Sequence, residues 1–324
     1  MLHRRRLLGL AGATLAMPAI TRSAFAQAYP ARPVKWVVGF APGGITDMTA
    51  RLIAQRLAER LGQAFVIENR AGAGGNVGTE SVARAEPDGY TLLQTTTTNA
   101  INAALYKNLP FDTMRDLAPV AGIMRAPGLL VVANSVPAKT VGELVAYAKK
   151  NPGKLSIGTG GNGSSQHAYG ELFKMLAGIE MLVVPFRGGA PAIAALMGGQ
   201  IDVVIGPAAE AMELAAAGKI RALGVTSKER IASMPDVPPI SDELPGYETG
   251  GWHGVCTTAK TPPAVIEILS RGVMAAVAEP KIVERITQMA GTPMPLDAAG
   301  FRQFMTDEIE KWEKVVKFAG MRAE

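Results

Sequence analysis

The chain has 324 residues, with 33 basic and 28 acidic side chains, a formal charge of +5, three histidines and one cysteine. A single cysteine excludes an internal disulfide framework, and so few histidine and cysteine side chains argue against a protein-built zinc site, so stability must come from apolar cores. Arg4, Arg5, Arg6 and Arg22 supply most of the basic excess; without them the balance falls to about +1, which gives no reason to expect nucleic-acid binding.

Those arginines belong to the first predicted element. A basic start, an apolar run over residues 7–20 and small residues at Ala24 and Ala26 have the layout of a cleaved export signal covering residues 1–26. The run is shorter than the roughly 20 residues a membrane-spanning helix needs, and glycines and Pro18 break it. Arg4 and Arg5, followed by Arg6, Leu7 and Leu8, also look like a twin-arginine signal, although His3 stands where Ser or Thr is usual. Both export routes stay open. Cys256 lies too far from the cleavage point to anchor a lipid.

Strands and helices then alternate. β-branched runs predict strands over 34–40, 64–68 and 91–95, and helical spacing predicts helices over 47–61 and 76–85, the first stopped by Gly62. A second series follows, with strands over 129–133, 155–158, 180–184, 201–205 and 221–226 and helices over 141–150, 166–176, 190–197 and 208–216. The end is helical, over 263–277, 280–289 and a long amphipathic 298–318. This pattern predicts an α/β protein with mostly parallel sheets, and its length exceeds one ordinary core, so two domains are expected. The proline-rich stretch 226–251 is expected to run over the surface and carry the chain back to the first domain.

Two segments share one layout. In "GFAPGGITDMTARLIAQRLAERLG" a strand runs through a bare Pro-Gly-Gly turn into a helix opened by Thr46 and Asp47; in "KLSIGTGGNGSSQHAYGELFKMLAG" a strand ending at Gly158 passes through glycines to Ser164 and Ser165 at a helix start. Glycines let the backbone present its amides, and the first helical N–H groups lack intrahelical acceptors and sit at the positive end of the helix dipole. Such a turn receives an anion without a cationic side chain. Two of them, one per domain, would make a cleft that grips a carboxylate mainly through the main chain.

Plainer structural roles stand beside each residue. Strand–glycine–helix turns are common connectors, and Asp47 and Ser165 could simply be N-caps. His167 reads more readily as a packing residue than as a base. Phe40 and Phe186 either flank a ligand or fill the core, and Asp202 either reaches the cleft or ties down a turn. "GTGGNG" satisfies the dinucleotide fingerprint, but the acid expected at the end of the following strand is missing. There is no G-x-S-x-G elbow and no Walker sequence.

Blocks along the whole mature chain carry a family resemblance: "APGGITD" (41–47), "ENRAGAGGNVGTESVARAEPDGYTLL" (68–93), "LYKNLPFD" (105–112), "NPGKLSIGTGGNGSSQHAYGELF" (151–173), "VPFRGGAPAIAALMGGQID" (184–202), "AGKIRALGVTSKER" (217–230) and "EIEKWEKVV" (308–316). On these the sequence resembles the periplasmic solute-binding proteins of tripartite tricarboxylate transporters, the TctC or Bug family. Departures at Ala41, Ile45, Phe186 and Arg187 bear only on which ligand fits.

The resemblance implies a type II periplasmic-binding-protein fold, two α/β domains with a ligand cleft between them. Its first domain would comprise 27–127 and 253–324 and its second 128–252. Carried over by position, the first ligand turn is Gly43, Gly44, Thr46 and Asp47, and the second is Thr159, Gly161, Asn162, Gly163, Ser164 and Ser165. Thr97 and Asn99, in "TTTTNA", and Asp202 would line the cleft, with Phe40 and Phe186 beside the turns. The expected protein is a periplasmic monomer that captures a small organic carboxylate without chemistry, cofactor or metal, and delivers it to a membrane permease. A secreted enzyme acting on a carboxylate and a ligand-sensing protein serving a membrane receptor are the alternatives. A tricarboxylate, a dicarboxylate, an amino acid and an aromatic acid all remain open as ligand.

Overall fold

The computed structural model describes residues 29–40, 42–161, 163–186 and 188–321, so the expected export signal lies outside the described residues, as do Asn162 and Arg187. Two sheets organise the chain. Three strands open the first sheet: β1 (Val34–Val38), β2 (Phe65–Asn69) and β3 (Thr91–Thr96), with helices α1 (Ile45–Leu61) and α2 (Asn76–Ala83) between them. Helices α3 (Thr97–Leu105) and α4 (Thr113–Asp116) lead to β4 (Leu117–Ala126), and the chain crosses at Pro127 into β5 (Gly128–Val132) of the second sheet. There α5 (Val141–Lys150), β6 (Ser156–Thr159), α6 (Ser165–Ala177), β7 (Leu182–Pro185), α7 (Gly189–Met197), β8 (Val203–Pro207), α8 (Ala208–Ala216) and β9 (Arg221–Val225) follow in turn. A return segment reaches β10 (Gly251–Thr258) in the first sheet, and α9 (Pro263–Val277), α10 (Pro280–Gln288), β11 (Thr292–Pro293) and α11 (Ala298–Ala319) complete the fold.

Local chemistry explains the boundaries. Every residue of β5 is buried, which suits the unbroken apolar run Leu129–Val132. Helix α1 closes on Gly62 in the left-handed region at φ 72°, and α11 opens on Asp297, whose side chain accepts from the Gly300 amide. Helix α3 carries a full capping box, with Thr96 and Asn99 satisfying each other's backbone amides.

The sheets are mixed rather than mostly parallel. The first has the order β11-β4-β10-β3-β1-β2, and the second β7-β6-β8-β5-β9. Pairs among β1, β2 and β3 and among β6, β7 and β8 are parallel, but β10 runs antiparallel to β3 and β4, and β5 antiparallel to β8 and β9. The strands that carry the chain between sheets run against the βαβ strands they join. The proline-rich return is also more than a surface strap. Ile231, Ile240, Leu244 and Tyr247 are buried, and the Tyr247 ring packs edge-on against Phe173.

Helix α11 lies across both units. Its Trp312 is fully buried with its ring 5.7 Å from that of Tyr169 on α6, so one apolar core continues from α3 and α11 into the second sheet. A separate core lies between the other face of the first sheet and helices α1, α9 and α10. Among the described residues no helix is long and apolar enough to cross a membrane.

Candidate functional site

The two glycine turns sit at the carboxyl ends of parallel strands, where open α/β sheets place their ligands. The first leaves β1 and enters α1; the second leaves β6 and enters α6. Because β1 pairs with β3, the start of α3 stands beside the first turn along the same sheet edge. The second turn reaches that helix: a β-carbon on Gly163 would lie 2.8 Å from Leu105 at the end of α3. The second turn therefore lies against the end of a helix that starts beside the first.

Within the first turn Asp47 is fully committed. Its Oδ2 accepts from the Gly43 amide at 3.0 Å and from Arg51 Nε at 2.9 Å, and its Oδ1 accepts from Asn69 Nδ2 at 2.9 Å. Asn69 also donates to the Phe40 carbonyl at 3.0 Å, which fixes the entry to the turn. The hydrogen bond from Arg51 is the largest of the effects that hold the Asp47 carboxyl down at about 2. The carboxylate shapes the turn and Arg51 offsets its charge, which leaves the amides of Ile45 and Thr46 for an anion. Gly43 needs its glycine at φ 87°, whereas Gly44 has ordinary extended backbone and open space before it.

That geometry gives a pH expectation. The folded pKa lies below the unfolded value of 3.8, so the contribution is full above that value and is lost as pH falls toward about 2. Because Arg51 is half in water, we expect about 1–2 kcal/mol from this group. Thermal unfolding followed below pH 5 should show the loss in the wild type and a flatter profile in Asp47→Asn. Identical profiles would place the acid sensitivity elsewhere.

In the second turn Gly161 has φ 118° and donates to Thr159 Oγ1 at 3.4 Å. Ser164 caps α6 by accepting from the His167 amide at 3.2 Å, and His167 Nδ1 accepts from the Gly163 amide at 3.1 Å. The imidazole is thus held by the turn and is not aimed as a base at either serine. Ser165 stands at the first position of α6, and Phe186 packs its ring beside Gly158 while its amide donates to the Thr159 carbonyl at 2.9 Å.

Three predicted residues have other duties. Asp202 precedes β8, and its carboxylate accepts from the amide and the hydroxyl of Ser156, each at 2.8 Å. Ser156 begins β6, so Asp202 closes the sheet at the edge opposite the glycine turn and does not line the cleft. An apolar strand tolerates a carboxylate there because Oδ2 is met by both donors of Ser156 at the open end of the strand. Asn99 spends its side chain on the capping box and on a 2.8 Å hydrogen bond to Thr79. Thr97 donates to the Gly250 carbonyl at 3.1 Å and accepts from the Trp252 amide at 2.9 Å, tying α3 to the returning crossover.

Sequence reasoning missed Gln166 and Glu210. Gln166 is buried at the start of α6 and donates to Glu210, on the first turn of α8, at 3.3 Å. Burial raises the pKa of Glu210. An amide and an acid 44 residues apart give no sequence signal; only the pairing of β6 with β8 brings them together.

The family model described as "Tripartite tricarboxylate transporter family receptor" matches residues 49–321. The chain is 37% identical over 320 residues to the UPF0065 protein in the tcbD-tcbE intergenic region of Pseudomonas sp. (strain P51), covering 97% of this chain and 94% of that one. Among solved structures it is similar to R. palustris Rpa4515 with adipate, at TM-score 0.78 and 36% identity, covering 91% of this chain and 99% of that one. MatC from Rhodopseudomonas palustris with bound malate matches at TM-score 0.74 and 33% identity, covering 89% and 100%.

Proposed function

The chain belongs to the tripartite tricarboxylate transporter receptor family, and from that premise we propose that it captures a small organic carboxylate between its two sheets for delivery to a membrane permease. The carrying observation is the pair of glycine turns, each opening a helix at the carboxyl end of a parallel strand, the second of them against the end of α3. A carboxylate bound there accepts from the amides that start α1 and α6 and meets the positive end of each helix dipole. Adipate and malate, named with the two similar structures, are both small organic carboxylates.

Capture rather than catalysis is supported by the second turn. Ser164 is used as a cap and His167 Nδ1 accepts a hydrogen bond from the Gly163 amide, so among the described residues this pair is not arranged as a nucleophile and its base. In this reading residues 27–127 and 253–324 form the first domain and 128–252 the second, joined by the crossovers near Pro127 and Gly250. Closure about them buries the ligand and changes the surface offered to the permease. The protein works as a periplasmic monomer after export and removal of residues 1–26.

The test is a thermal-shift screen of the purified protein, dialysed to remove retained ligand, against aliphatic, amino and aromatic carboxylates. A ligand at about 100 times its dissociation constant should add roughly 2.7 kcal/mol of stability. A dose-dependent rise confined to one chemical subclass supports capture. Turnover of a carboxylate would overturn it in favour of an enzyme, as would silence across the panel when mass spectrometry of the denatured protein finds no retained carboxylate.

A further inference from the structure

The two glycine turns are fastened in the same way. In each helix the residue at the third position reaches back to the amide of the glycine just before the N-cap: Asp47 Oδ2 accepts from Gly43 at 3.0 Å, and His167 Nδ1 accepts from Gly163 at 3.1 Å. This is half of a capping box, moved back by one residue. Both glycines lie in the left-handed region, at φ 87° and 73°, so the turns share a bend as well as a latch. The amides of Ser165 and Gln166 then open α6 as those of Ile45 and Thr46 open α1.

The latches differ in charge. Asp47 is a carboxylate answered four residues on by Arg51, at 2.9 Å. His167 is answered at the same spacing by an acid, Glu171, whose Oε1 lies 3.7 Å from Nε2. Since Nδ1 accepts, the imidazole is neutral and carries its proton on Nε2, toward that carboxylate. Burial alone would raise the Glu171 carboxyl, but His167 and Lys174, whose Nζ lies 2.7 Å away, hold it below its usual value and ionised. Asp47 with Arg51, and neutral His167 with Glu171 and Lys174, thus each leave no net charge beside the first helical amides. An acid in place of His167 could accept from the glycine equally well, but it would set an unanswered charge against an anion arriving at the helix opening.

We propose that His167 is a positioning residue for capture, a neutral latch that holds the second turn in shape for a carboxylate as Asp47 holds the first. The inference rests on the reading that the turns receive a carboxylate. The two tasks of His167, accepting from Gly163 and adding no negative charge, can be removed one at a time. Asparagine carries its amide oxygen as many bonds from the backbone as Nδ1, so His167→Asn keeps both the acceptor and neutrality. His167→Asp keeps the acceptor alone, and His167→Leu keeps neutrality without an acceptor.

Titration calorimetry of the dialysed protein with malate, adipate, glutamate and benzoate, alongside thermal unfolding of each variant, tests this. For whichever of these binds the wild type, His167→Leu should weaken binding about tenfold or more, and His167→Asn should restore affinity to within about threefold. His167→Asp should melt within a few degrees of His167→Asn yet bind about tenfold or more weakly, and that deficit should shrink as salt is raised. If His167→Leu does not fold, the comparison of His167→Asn with His167→Asp carries the test alone. Unchanged affinity in His167→Leu, or an equal loss in His167→Asn, overturns the latch and leaves carboxylate capture standing. His167→Asp binding as tightly as His167→Asn overturns the need for a neutral acceptor and the proposal with it. Failure of the wild type to bind any of the four compounds overturns the parent reading and this inference together.

Discussion

Gly161→Val is expected to lower affinity for the carboxylate about 100-fold or more in titration calorimetry, with the protein still folded. The backbone at Gly161 has φ 118°, which a β-branched residue adopts only under strain, and a β-carbon there would stand 3.3 Å from the Phe186 carbonyl oxygen. The turn must relax, and its amides move away from where a bound carboxylate would meet them. Two lost hydrogen bonds to a charged group, at about 1.5–3 kcal/mol each, amount to at least that hundredfold. Gly44→Val makes an informative companion. Its backbone is ordinary, at φ −76°, and the space before it is empty, so valine acts there only by filling volume in front of α1. Stability should be unchanged and binding lost. Normal binding by both variants would remove the glycine turns from the site.

The second large effect concerns stability. Glu308→Ala should destabilise the protein by about 2–4 kcal/mol, because it strips the shared acceptor from two indoles. Glu308 is buried on α11 and accepts from Trp252 Nε1 at 2.9 Å and from Trp312 Nε1 at 3.2 Å, and Lys311 pairs with its other oxygen. Trp252 follows the returning crossover directly, and Trp312 packs on Tyr169 of the second unit. The carboxylate therefore couples the C-terminal helix to the junction of both sheets. For a chain of this size the melting temperature should fall by roughly 3–6 °C. A fall of under two degrees would mean that the indoles find other acceptors.

Much of this was legible in residue order. Helix α8 coincides with its expected bounds, as do α5 and α9, because caps, glycine stops and apolar spacing are local signals. The expected type II two-domain cleft fold is matched by the binding proteins this chain resembles, and both glycine turns lie at strand-to-helix junctions. Helix α3 and strands β4 and β10 went unread. "TTTTNAINAAL" has little helix propensity and depends on its capping box, while β4 and β10 owe their extension to sheet partners distant in sequence.

The sequence by itself determined the class of the protein: an α/β chain with two glycine turns suited to an anion and no conventional catalytic set. Such features depend on neighbours within a few residues, where dihedral preference and hydrophobic spacing act. Tertiary structure alone decided what each side chain does. It set Asp202 at the far edge of its sheet, committed Asp47 to Arg51 and Asn69, turned Asn99 and Thr97 to structural duties, and brought Gln166 to Glu210. The physical reason is one of range. A hydrogen bond needs its partners within about 3 Å, and which partners come that close is settled by strand order, which no local pattern encodes.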